Sequence, residues 1–399
     1  MSRWPTVTIG EVADPVDRSE SPLPGVTYRQ VGVRLWGQGA YERESMDGVE
    51  TKYKSLNRVE AGDIIVNKIW ARNGSVSVVT PELGGCFCSG EFPLFRPRSE
   101  RLDSQWFYWI TKTRWFWDAC DRQSRGTSGK NRLRPQRFLE ITIPLAPIEE
   151  QRRVVDKLNR LATQSARLGS LQGHVEGAAD ALLRARLNGL FGDPYRGVAG
   201  SAGFSAFAPV GELSSDVADG PHVTPQYFDD GIPFVTVLNI TSGRVDFNRA
   251  KHITPAAHEL YSKRAKAEPG DVLISKDGTL GVPCYVETDR EFSFFVSVAL
   301  VKPRRDLLDG RFLTWALRAP YLQDRIAERS RGDMIRHLVL REIRQLLVPV
   351  ASLADQSRIV SELDATERQH RSLVAMMQQS QGVAAAITGS ALSSAFAGF

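Results

Sequence analysis

The chain contains 399 residues, of which 42% are hydrophobic and 24% are charged, a globular composition that excludes disorder as the main state. The net charge of +5 does not by itself indicate a nucleic-acid partner, and no apolar run is long enough for a membrane span. Without a signal-peptide pattern or a regular cysteine framework, we expect a cytoplasmic protein whose four cysteines are reduced thiols.

The first predicted domain covers residues 1–148 and has the composition of a compact α+β fold. Val76–Val79 is typical of a strand, and Ser104–Ala119 has the spacing of an amphipathic helix with an aromatic face. A long helix is predicted over residues 149–191, because apolar or small residues recur there at steps of three or four. About 40 residues of helix measure roughly 60 Å.

The next segment, residues 192–207, is rich in Gly, Ala and Ser and is predicted to be a flexible linker. A second α+β domain is predicted over residues 208–350, in which Phe294–Val301 is typical of a strand and Gly310–Glu328 of an amphipathic helix. A second long helix and a C-terminal tail are predicted over residues 351–399.

The second half of the chain repeats the first at an offset of about 205 residues. The segment Glu60–Lys68 is echoed by Glu268–Lys276, and Glu150-Gln151 is echoed by Asp355-Gln356. Because many such matches keep their order with little drift, the sequence indicates a domain duplication. Narrow apolar stripes on two long helices require partners, so we predict that the helices pair antiparallel, with one domain at each end and approximate two-fold symmetry within one chain.

Catalytic motifs are weak in this sequence. Gly192-Asp193-Pro194-Tyr195 is similar to a loop of amino-methyltransferases, but it lacks a second proline and lies where the first long helix must stop, which favours a helix end. Cys86-x-Cys88 has the wrong spacing for a zinc site, and the six histidines are scattered. No phosphate-binding Gly-x-x-x-x-Gly-Lys loop is present. These observations predict a chain that is not an enzyme by itself.

Basic residues are concentrated in one segment of each half. Between Arg122 and Arg137 lie six cations and no acid, with Gly, Ser, Thr and Asn interleaved. Small residues allow a backbone to approach phosphates, and Arg and Asn side chains read base edges. The matching stretch from Arg325 to Arg344 is also basic, although acidic residues dilute it. A solvated surface is the alternative for one cluster, but the same placement in both halves favours DNA binding.

A second matched pair of polar segments follows a predicted strand in each half. These are Asn67-Lys68 with Arg72, and Ser275-Lys276 with Asp277, for which an ordinary turn is the alternative. Two basic surfaces at the ends of a rigid spacer of this length would contact DNA sites about one helical turn or somewhat more apart. Because the two surfaces differ in sequence, we expect the two half-sites to differ. The candidate DNA-binding residues are Lys68, Arg72, Arg122, Arg125, Ser128, Lys130, Asn131, Arg132, Lys276, Arg331, Arg336 and His337.

Over essentially its whole length, the chain resembles the specificity (S) subunits of type I restriction–modification systems. The resemblance rests on the box Gly62–Lys68 with its copy Gly270–Lys276. It rests also on Ile143–Val155, which is similar to the family's junction between a target-recognition domain and a conserved helix. At the second junction, Val348–Gln356, one proline is missing and Asp355 replaces a glutamate, so that the charge is kept.

The resemblance implies two target-recognition domains joined by conserved spacer helices. Such subunits read a bipartite, asymmetric sequence in double-stranded DNA and carry no catalysis. They recruit two modification subunits, which bind S-adenosylmethionine and methylate adenine. Where the system includes them, two restriction subunits hydrolyse ATP with Mg²⁺ and cleave DNA. The chain itself would then contain no catalytic residue and would bind no cofactor, metal or membrane. The exposed faces of its long helices would bind the methyltransferase subunits.

Two other classes of function stay open at this point. A self-contained DNA methyltransferase or nuclease would require a cofactor loop or a set of metal-binding carboxylates, and Glu50-x-Lys52 is only half of a nuclease pattern. A non-catalytic protein–protein scaffold would use its basic clusters to bind acidic partners. Replacement of Lys130 and Arg132 would then leave DNA affinity unchanged.

Overall fold

The structure is a computed structural model that describes residues 4–124, 131–204, 206–329 and 337–398. The chain divides into unit 1, formed by Met1–Leu171 and Gln378–Phe399, and unit 2, formed by Gln172–Met377. Each unit combines one α+β domain with parts of two long helices. Within the described residues, every helix is either too short or too polar to cross a membrane.

The α+β domain of unit 1 is built from three sheets. A two-stranded sheet pairs β1 with β11, a four-stranded sheet has the order β2-β10-β7-β8, and a five-stranded sheet has the order β3-β6-β9-β4-β5. Within the five-stranded sheet, β4 and β9 are parallel. The strands are β1 (Thr6–Thr8), β2 (Ala13–Val16), β3 (Ser19–Glu20), β4 (Thr27–Val33), β5 (Ala40–Asp47), β6 (Leu56–Arg58), β7 (Ile64–Val66), β8 (Val76–Val78), β9 (Phe87–Cys88), β10 (Leu94–Pro97) and β11 (Thr142–Pro144).

Short helices cover the four-stranded sheet. They are α1 (Ser104–Ile110), α2 (Arg114–Ser124) and α3 (Pro135–Leu139). The prediction of a single helix over Ser104–Ala119 is wrong, because the helix is interrupted between α1 and α2. The hydroxyls of Thr111 and Thr113 donate to the carbonyls of Tyr108 and Ile110, both at 2.7 Å, and hydroxyls that bond to the preceding turn bend a helix. Fully buried Trp106, Phe107 and Phe116 fill the core beneath α1 and α2.

The α+β domain of unit 2 repeats this plan with fewer strands. A two-stranded sheet pairs β14 with β22, a four-stranded sheet has the order β15-β21-β18-β19, and a three-stranded sheet has the order β17-β16-β20. Here β16 and β20 are parallel, as β4 and β9 are. The strands are β14 (Phe207–Pro209), β15 (Ser214–Asp219), β16 (Ile232–Val235), β17 (Lys251–Ile253), β18 (Val272–Ser275), β19 (Pro283–Tyr285), β20 (Ser293–Phe294), β21 (Val298–Pro303) and β22 (Leu347–Pro349).

The helices of this second domain are α5 (Pro255–Ser262), α6 (Gly310–Leu317), α7 (Pro320–Arg329) and α8 (Leu340–Arg344). The single helix expected over Gly310–Glu328 is again two helices. Pro320 starts the second of them, because proline has no amide hydrogen to continue the first. The strand expected over Phe294–Val301 is likewise two strands, β20 and β21.

The first long helix, α4 (Ile148–Phe191), and the second, α9 (Leu353–Ala395), have the predicted positions. In unit 1 the beginning of α4 shares a core with the end of α9, through Leu158 and Leu392. In unit 2 the end of α4 shares a core with the beginning of α9, through Leu187 and Leu363. The helices are therefore antiparallel, and the predicted fold class is confirmed: two similar α+β domains joined by two long antiparallel helices.

The segment after α4 is folded rather than extended. A short hairpin pairs β12 (Gly192–Asp193) with β13 (Val198–Ala199), and Gly192 has the left-handed φ of +68° that ends many helices. Phe204 stacks on Phe191, with ring centroids 5.8 Å apart. Although its composition predicts a flexible linker, the segment packs on the core of unit 2 because its few aromatic residues bury there.

All four cysteines are buried free thiols. Burial raises the pKa of the Cys88 thiol to about 12, with a further contribution from the Asp63 carboxylate, and burial also raises the pKa of Cys284 to about 12. An unfolded thiol ionises near its ordinary pKa of about 8.5. Between about pH 9 and 12 the unfolded chain therefore loses protons that the folded chain retains, so stability falls as pH rises.

We therefore expect the free energy of unfolding, measured by urea denaturation, to decrease from pH 8 to pH 10. In a Cys88→Ala variant the decrease between the two pH values should be smaller, although the variant is less stable at both. A decrease of the same size in both proteins would show that Cys88 does not carry this pH dependence.

Candidate nucleic-acid interface

The Glu-x-Gly-Asp turn before β7 explains why the box motif has its sequence. The amide of Asp63 donates to the carbonyl of Glu60 at 3.1 Å, and Gly62 between them has a φ of +85°, which favours glycine. The Asp63 side chain is fully buried and accepts from the amide of Glu60 at 2.8 Å. Arg18 and Arg96 pair with the same carboxylate at 2.7 and 2.9 Å. The turn thus fixes the position at which β7 enters the core.

Unit 2 contains the same turn before β18. The amide of Asp271 donates to the carbonyl of Glu268 at 3.0 Å, and Gly270 has a φ of +96°. The buried Asp271 carboxylate accepts from the amide of Glu268 at 2.9 Å and pairs with Lys302 at 2.8 Å. The box is therefore a structural element, and its two copies set β7 and β18 in the same way.

Both strands end next to the segment that carries the basic cluster. The amide of Leu133 donates to the carbonyl of Lys68 at 2.8 Å, and in unit 2 the amide of Leu338 donates to the carbonyl of Lys276 at 2.9 Å. Tertiary structure thus brings together two features that lie more than 50 residues apart in the sequence. In each unit, the polar residues after the box strand and the end of the basic segment meet at one edge of the four-stranded sheet.

In unit 1 the predicted DNA-binding residues at this edge differ in their exposure and in their hydrogen-bond partners. The Lys68 ammonium donates to the carbonyl of Gly90 at 2.6 Å. Arg132 is exposed and pairs with Glu91 at 3.2 Å, and Asn131 is also exposed. Arg72 lies half-buried in the last turn of a short 3₁₀ helix, Ala71–Asn73.

Arg122 lies on the last turn of α2 and is exposed. Helix α2 packs against the short helix that holds Arg72. Arg72 and Arg122 therefore lie on two elements that pack against each other.

In unit 2 the matching lysine is committed to an ion pair. The side chain of Lys276 is 8% exposed, and its ammonium donates to Asp219 at 2.6 Å. Arg264 pairs with the other oxygen of Asp219 at 2.6 Å. Burial acts to raise the pKa of Asp219, but the hydrogen bonds from Lys276 and Arg264 outweigh it and hold the pKa below its usual value. Lys276 is therefore better placed to orient the strand end than to contact a phosphate.

His337 remains accessible at the same edge. Its side chain is about half exposed and its ring bonds to Asp277, the residue after Lys276. Five other predicted residues lie outside the described part of the chain. These are Arg125, Ser128, Lys130, Arg331 and Arg336. The assignment of the whole set as DNA contacts stays a prediction.

Two exposed tryptophans beside this edge were missed by the sequence analysis. Trp36 is 50% exposed and Trp70 is 45% exposed. The amide of Trp36 donates to the carbonyl of Asn73 at 2.7 Å, which joins its loop to the one that carries Arg72. The glycines in Trp36-Gly37-Gln38-Gly39 indicate a loop, but they do not indicate which of its side chains is exposed.

Within the described residues, no three His, Cys, Asp or Glu side chains lie close enough to share a metal ion. The Gly192–Tyr195 segment ends α4, as predicted. Its Asp193 carboxylate accepts from the amide of Tyr195 at 2.9 Å, and the Tyr195 hydroxyl accepts from the amide of Leu347 at 3.1 Å. These side chains thus stabilise the turn and the neighbouring strand.

Known proteins share sequence with parts of this chain. The chain is 27% identical over 135 residues to the type I restriction enzyme EcoBI specificity subunit of Escherichia coli, a match that covers 34% of this chain and 28% of that protein. It is 23% identical over 196 residues to the EcoKI specificity subunit of Escherichia coli strain K12, covering 48% and 40%. The matches thus span less than half the length of either relative.

Solved structures share the fold over nearly the whole chain. One of these chains comes from a structure described as showing the structural basis of complex assembly and conformational transition of the type I R-M system. Its TM-score is 0.75 and its identity is 20%, and the match covers 99% of this chain and 98% of that chain. The HsdS subunit from Thermoanaerobacter tengcongensis matches with a TM-score of 0.62 and 21% identity, covering 99% and 97%. Residues 1–169 match the family described as the type I restriction modification DNA specificity domain. Over these residues, the chain is similar to the type I restriction–modification specificity family.

Proposed function

We propose that this chain is the DNA-binding subunit that reads a bipartite, asymmetric sequence in double-stranded DNA and recruits adenine methyltransferase and restriction subunits. The observation that carries the proposal is the repeated edge of the four-stranded sheet. In both units the carbonyl of the lysine after the box strand, Lys68 or Lys276, accepts from a backbone amide within the basic segment, that of Leu133 or Leu338. Two copies of one basic edge in a single chain suit two half-sites on one DNA molecule.

The differences between the two units support an asymmetric target. Unit 1 contains a five-stranded sheet, whereas unit 2 contains a three-stranded sheet in its place. In unit 2 the lysine is neutralised by Asp219, whereas in unit 1 Lys68 bonds only to a backbone carbonyl among the contacts described above. Because base recognition depends on the side chains and their local geometry, two such different edges favour two different half-sites.

The long helices supply a surface for partner proteins. Several large apolar side chains on α4 and α9 are about half exposed or more. A single exposed apolar side chain is normal on a protein surface, but several of them on two paired helices favour an interaction surface. They are Leu171, Leu182, Met376, Val383 and Ile387. Under this proposal, two modification subunits dock on these helices and bind S-adenosylmethionine. Restriction subunits, where present, bind ATP with Mg²⁺, and this chain carries no catalytic group.

The proposal is tested by mapping modified bases in native host DNA, sequenced as single molecules, with and without the gene. We expect adenine methylation at one split, asymmetric motif to disappear when the gene is deleted and to return when it is restored. If methylation of every motif stays the same although a methyltransferase co-purifies with the chain, the proposal is wrong.

Neutralising the basic edge of unit 1 should change how DNA binding depends on salt. Each phosphate contact contributes about 0.9 to the slope of log K against log salt concentration for duplex DNA. A triple Arg72→Gln, Arg122→Gln, Arg132→Gln variant should therefore lower the slope by up to about 2.7. The measurement is fluorescence anisotropy of a labelled duplex that contains the motif, titrated with the full-length chain at several salt concentrations.

The control for this experiment is Arg153→Gln, which removes a cation from an exposed position on α4, where the side chain is 78% exposed. Its slope should match that of the unmodified chain. A triple variant that binds DNA like the control would favour the alternative of a protein–protein scaffold whose cations contact acidic partners.

A further inference from the structure

Trp36 is a large apolar residue in a backbone conformation that such residues rarely adopt. Its φ is +58°, the left-handed region, and it is the one non-glycine residue with a positive φ in the described ranges. The side chain is 50% exposed. A strained backbone that holds an aromatic side chain towards solvent costs stability, and such strain is often found at functional sites.

The surrounding loops hold Trp36 firmly in this conformation. Besides the bond from Trp36 to Asn73, the amide of Gly37 donates to the carbonyl of Gly74 at 3.1 Å. The Lys112 ammonium donates to the carbonyl of Gly37 at 2.9 Å. Gly74 has no room for a side chain, because a Cβ there would lie 2.7 Å from the Trp117 ring.

The Trp36 ring meets the Trp117 ring at a centroid distance of 5.8 Å. The exposed half of the indole is thereby held rigidly next to the loop that carries Arg72 and Trp70. A rigid side chain loses little conformational freedom on binding, which favours a role in recognition.

Unit 2 places an exposed apolar side chain at the corresponding position. Leu238 follows β16 as Trp36 follows β4, and these are the strands that pair in parallel in their respective sheets. Its side chain is 77% exposed. A buried Asn239 holds the turn, because its side chain accepts from the amide of Thr236 at 2.8 Å and donates to the carbonyl of Asp246 at 3.0 Å.

We propose that Trp36 and Leu238 are apolar DNA-reading residues, each of which packs against the bases of one half-site. The proposal rests on the proposed function. Apolar side chains that enter a groove contact thymine methyl groups or wedge between base steps, and both contacts depend on the base sequence. DNA is favoured over a protein partner because Trp36 lies among the cations of the sheet edge and not on the long helices.

The test selects DNA from a random-sequence duplex pool with the full-length chain and with single variants. Trp36→Asn suits the positive φ, and Leu238→Gln keeps the side-chain length. Trp36→Asn removes an aromatic contact to a base and should weaken binding to the selected duplex on the order of fivefold to a hundredfold. The salt slope should not change, because no charge is removed. Trp36→Asn should relax base preference in one half-site only, and Leu238→Gln in the other.

The matched control is Tyr53→Asn. Tyr53 is 49% exposed and lies beyond the far end of β5, whose eight residues separate it from the Trp36 loop by roughly 20 Å. Its variant should select the same sequence with the same affinity as the unmodified chain. The melting temperature of Trp36→Asn should not fall, because asparagine relieves the backbone strain.

Three outcomes would overturn the inference. The variants could bind within twofold of the control with both half-sites unchanged. They could lose binding together with a lower melting temperature, which indicates a structural role. They could bind DNA normally but fail to co-purify with a methyltransferase, which indicates a protein contact. If the unmodified chain selects no sequence at all, the proposed function itself fails, which is a different result.

Discussion

Replacing Asp63 with alanine is expected to lower the free energy of unfolding of unit 1 by about 3 kcal/mol. The carboxylate is fully buried, caps the amide of Glu60 at 2.8 Å and pairs with Arg18 and Arg96. Removal of one partner from a buried ion pair costs about 3–5 kcal/mol. We take the lower value because side-chain exposures of 24% for Arg18 and 38% for Arg96 allow both to rehydrate.

The measurement is urea denaturation followed by tryptophan fluorescence. Of the eight tryptophans of the chain, only Trp315 lies in unit 2, so the signal reports unit 1. Asp14→Ala is the control, because Asp14 makes an exposed pair with Arg98 at 2.6 Å. An exposed pair contributes about 1 kcal/mol or less. Equal losses in the two variants would contradict the structural role of the box aspartate.

Replacing Gln151 with leucine is expected to destabilise unit 1 by a similar amount, about 3 kcal/mol or more. The amide side chain is fully buried and accepts from the amide of Asp103 at 2.9 Å. It donates to the carbonyls of Arg101 at 2.7 Å and Ala146 at 2.8 Å. Leucine would remove the partner of three backbone groups, one in a buried and two in partly buried hydrogen bonds, and each unsatisfied buried group costs about 1–3 kcal/mol.

The consequence should extend to function, because Asp103 caps helix α1 and Gln151 lies in the first turns of α4. The hydrogen bonds of Gln151 therefore fasten the α+β domain of unit 1 to α4. We expect methylation at the split motif to fall with stability. The assay is the same urea denaturation combined with the methylation map.

Two controls separate this effect from a general one. Gln164→Leu changes an exposed glutamine on the same helix and should have little effect. Gln356→Leu removes the equivalent residue in unit 2, which accepts from the amide of Asp309 at 2.8 Å and donates to the carbonyls of Leu307 and Ala351. It should destabilise unit 2 and leave the tryptophan signal of unit 1 nearly unchanged. If Gln151→Leu behaves like Gln164→Leu, the fastening role is wrong.

Much of the architecture was predictable because it depends on short-range patterns. A stripe of apolar residues at helical spacing determines a long helix wherever it occurs, and α4 and α9 follow it closely. The duplication was visible as matched segments. The antiparallel pairing followed from the need of each narrow stripe to be buried.

The details that could not be predicted depend on contacts between distant residues. The segment that composition predicts to be a flexible linker packs on the core of unit 2, because Phe204 contacts Phe191 and Phe312 there. Lys276 appeared equivalent to Lys68, yet it is buried because Asp219, 57 residues earlier, supplies a carboxylate at 2.6 Å. Trp36 gave no signal of its own because its exposure results from backbone bonds to Asn73 and Gly74.

The duplication, the two long helices and the class of fold follow from local patterns, since periodicity and turn chemistry act over a few residues. The box turn is local as well, because its glycine adopts one positive φ and its aspartate caps one backbone amide. Which cations are available and which apolar residues are exposed at the sheet edge depends instead on the folded chain. Exposure and ion pairing are set by the distant residues that pack against each side chain, and local sequence does not contain that information.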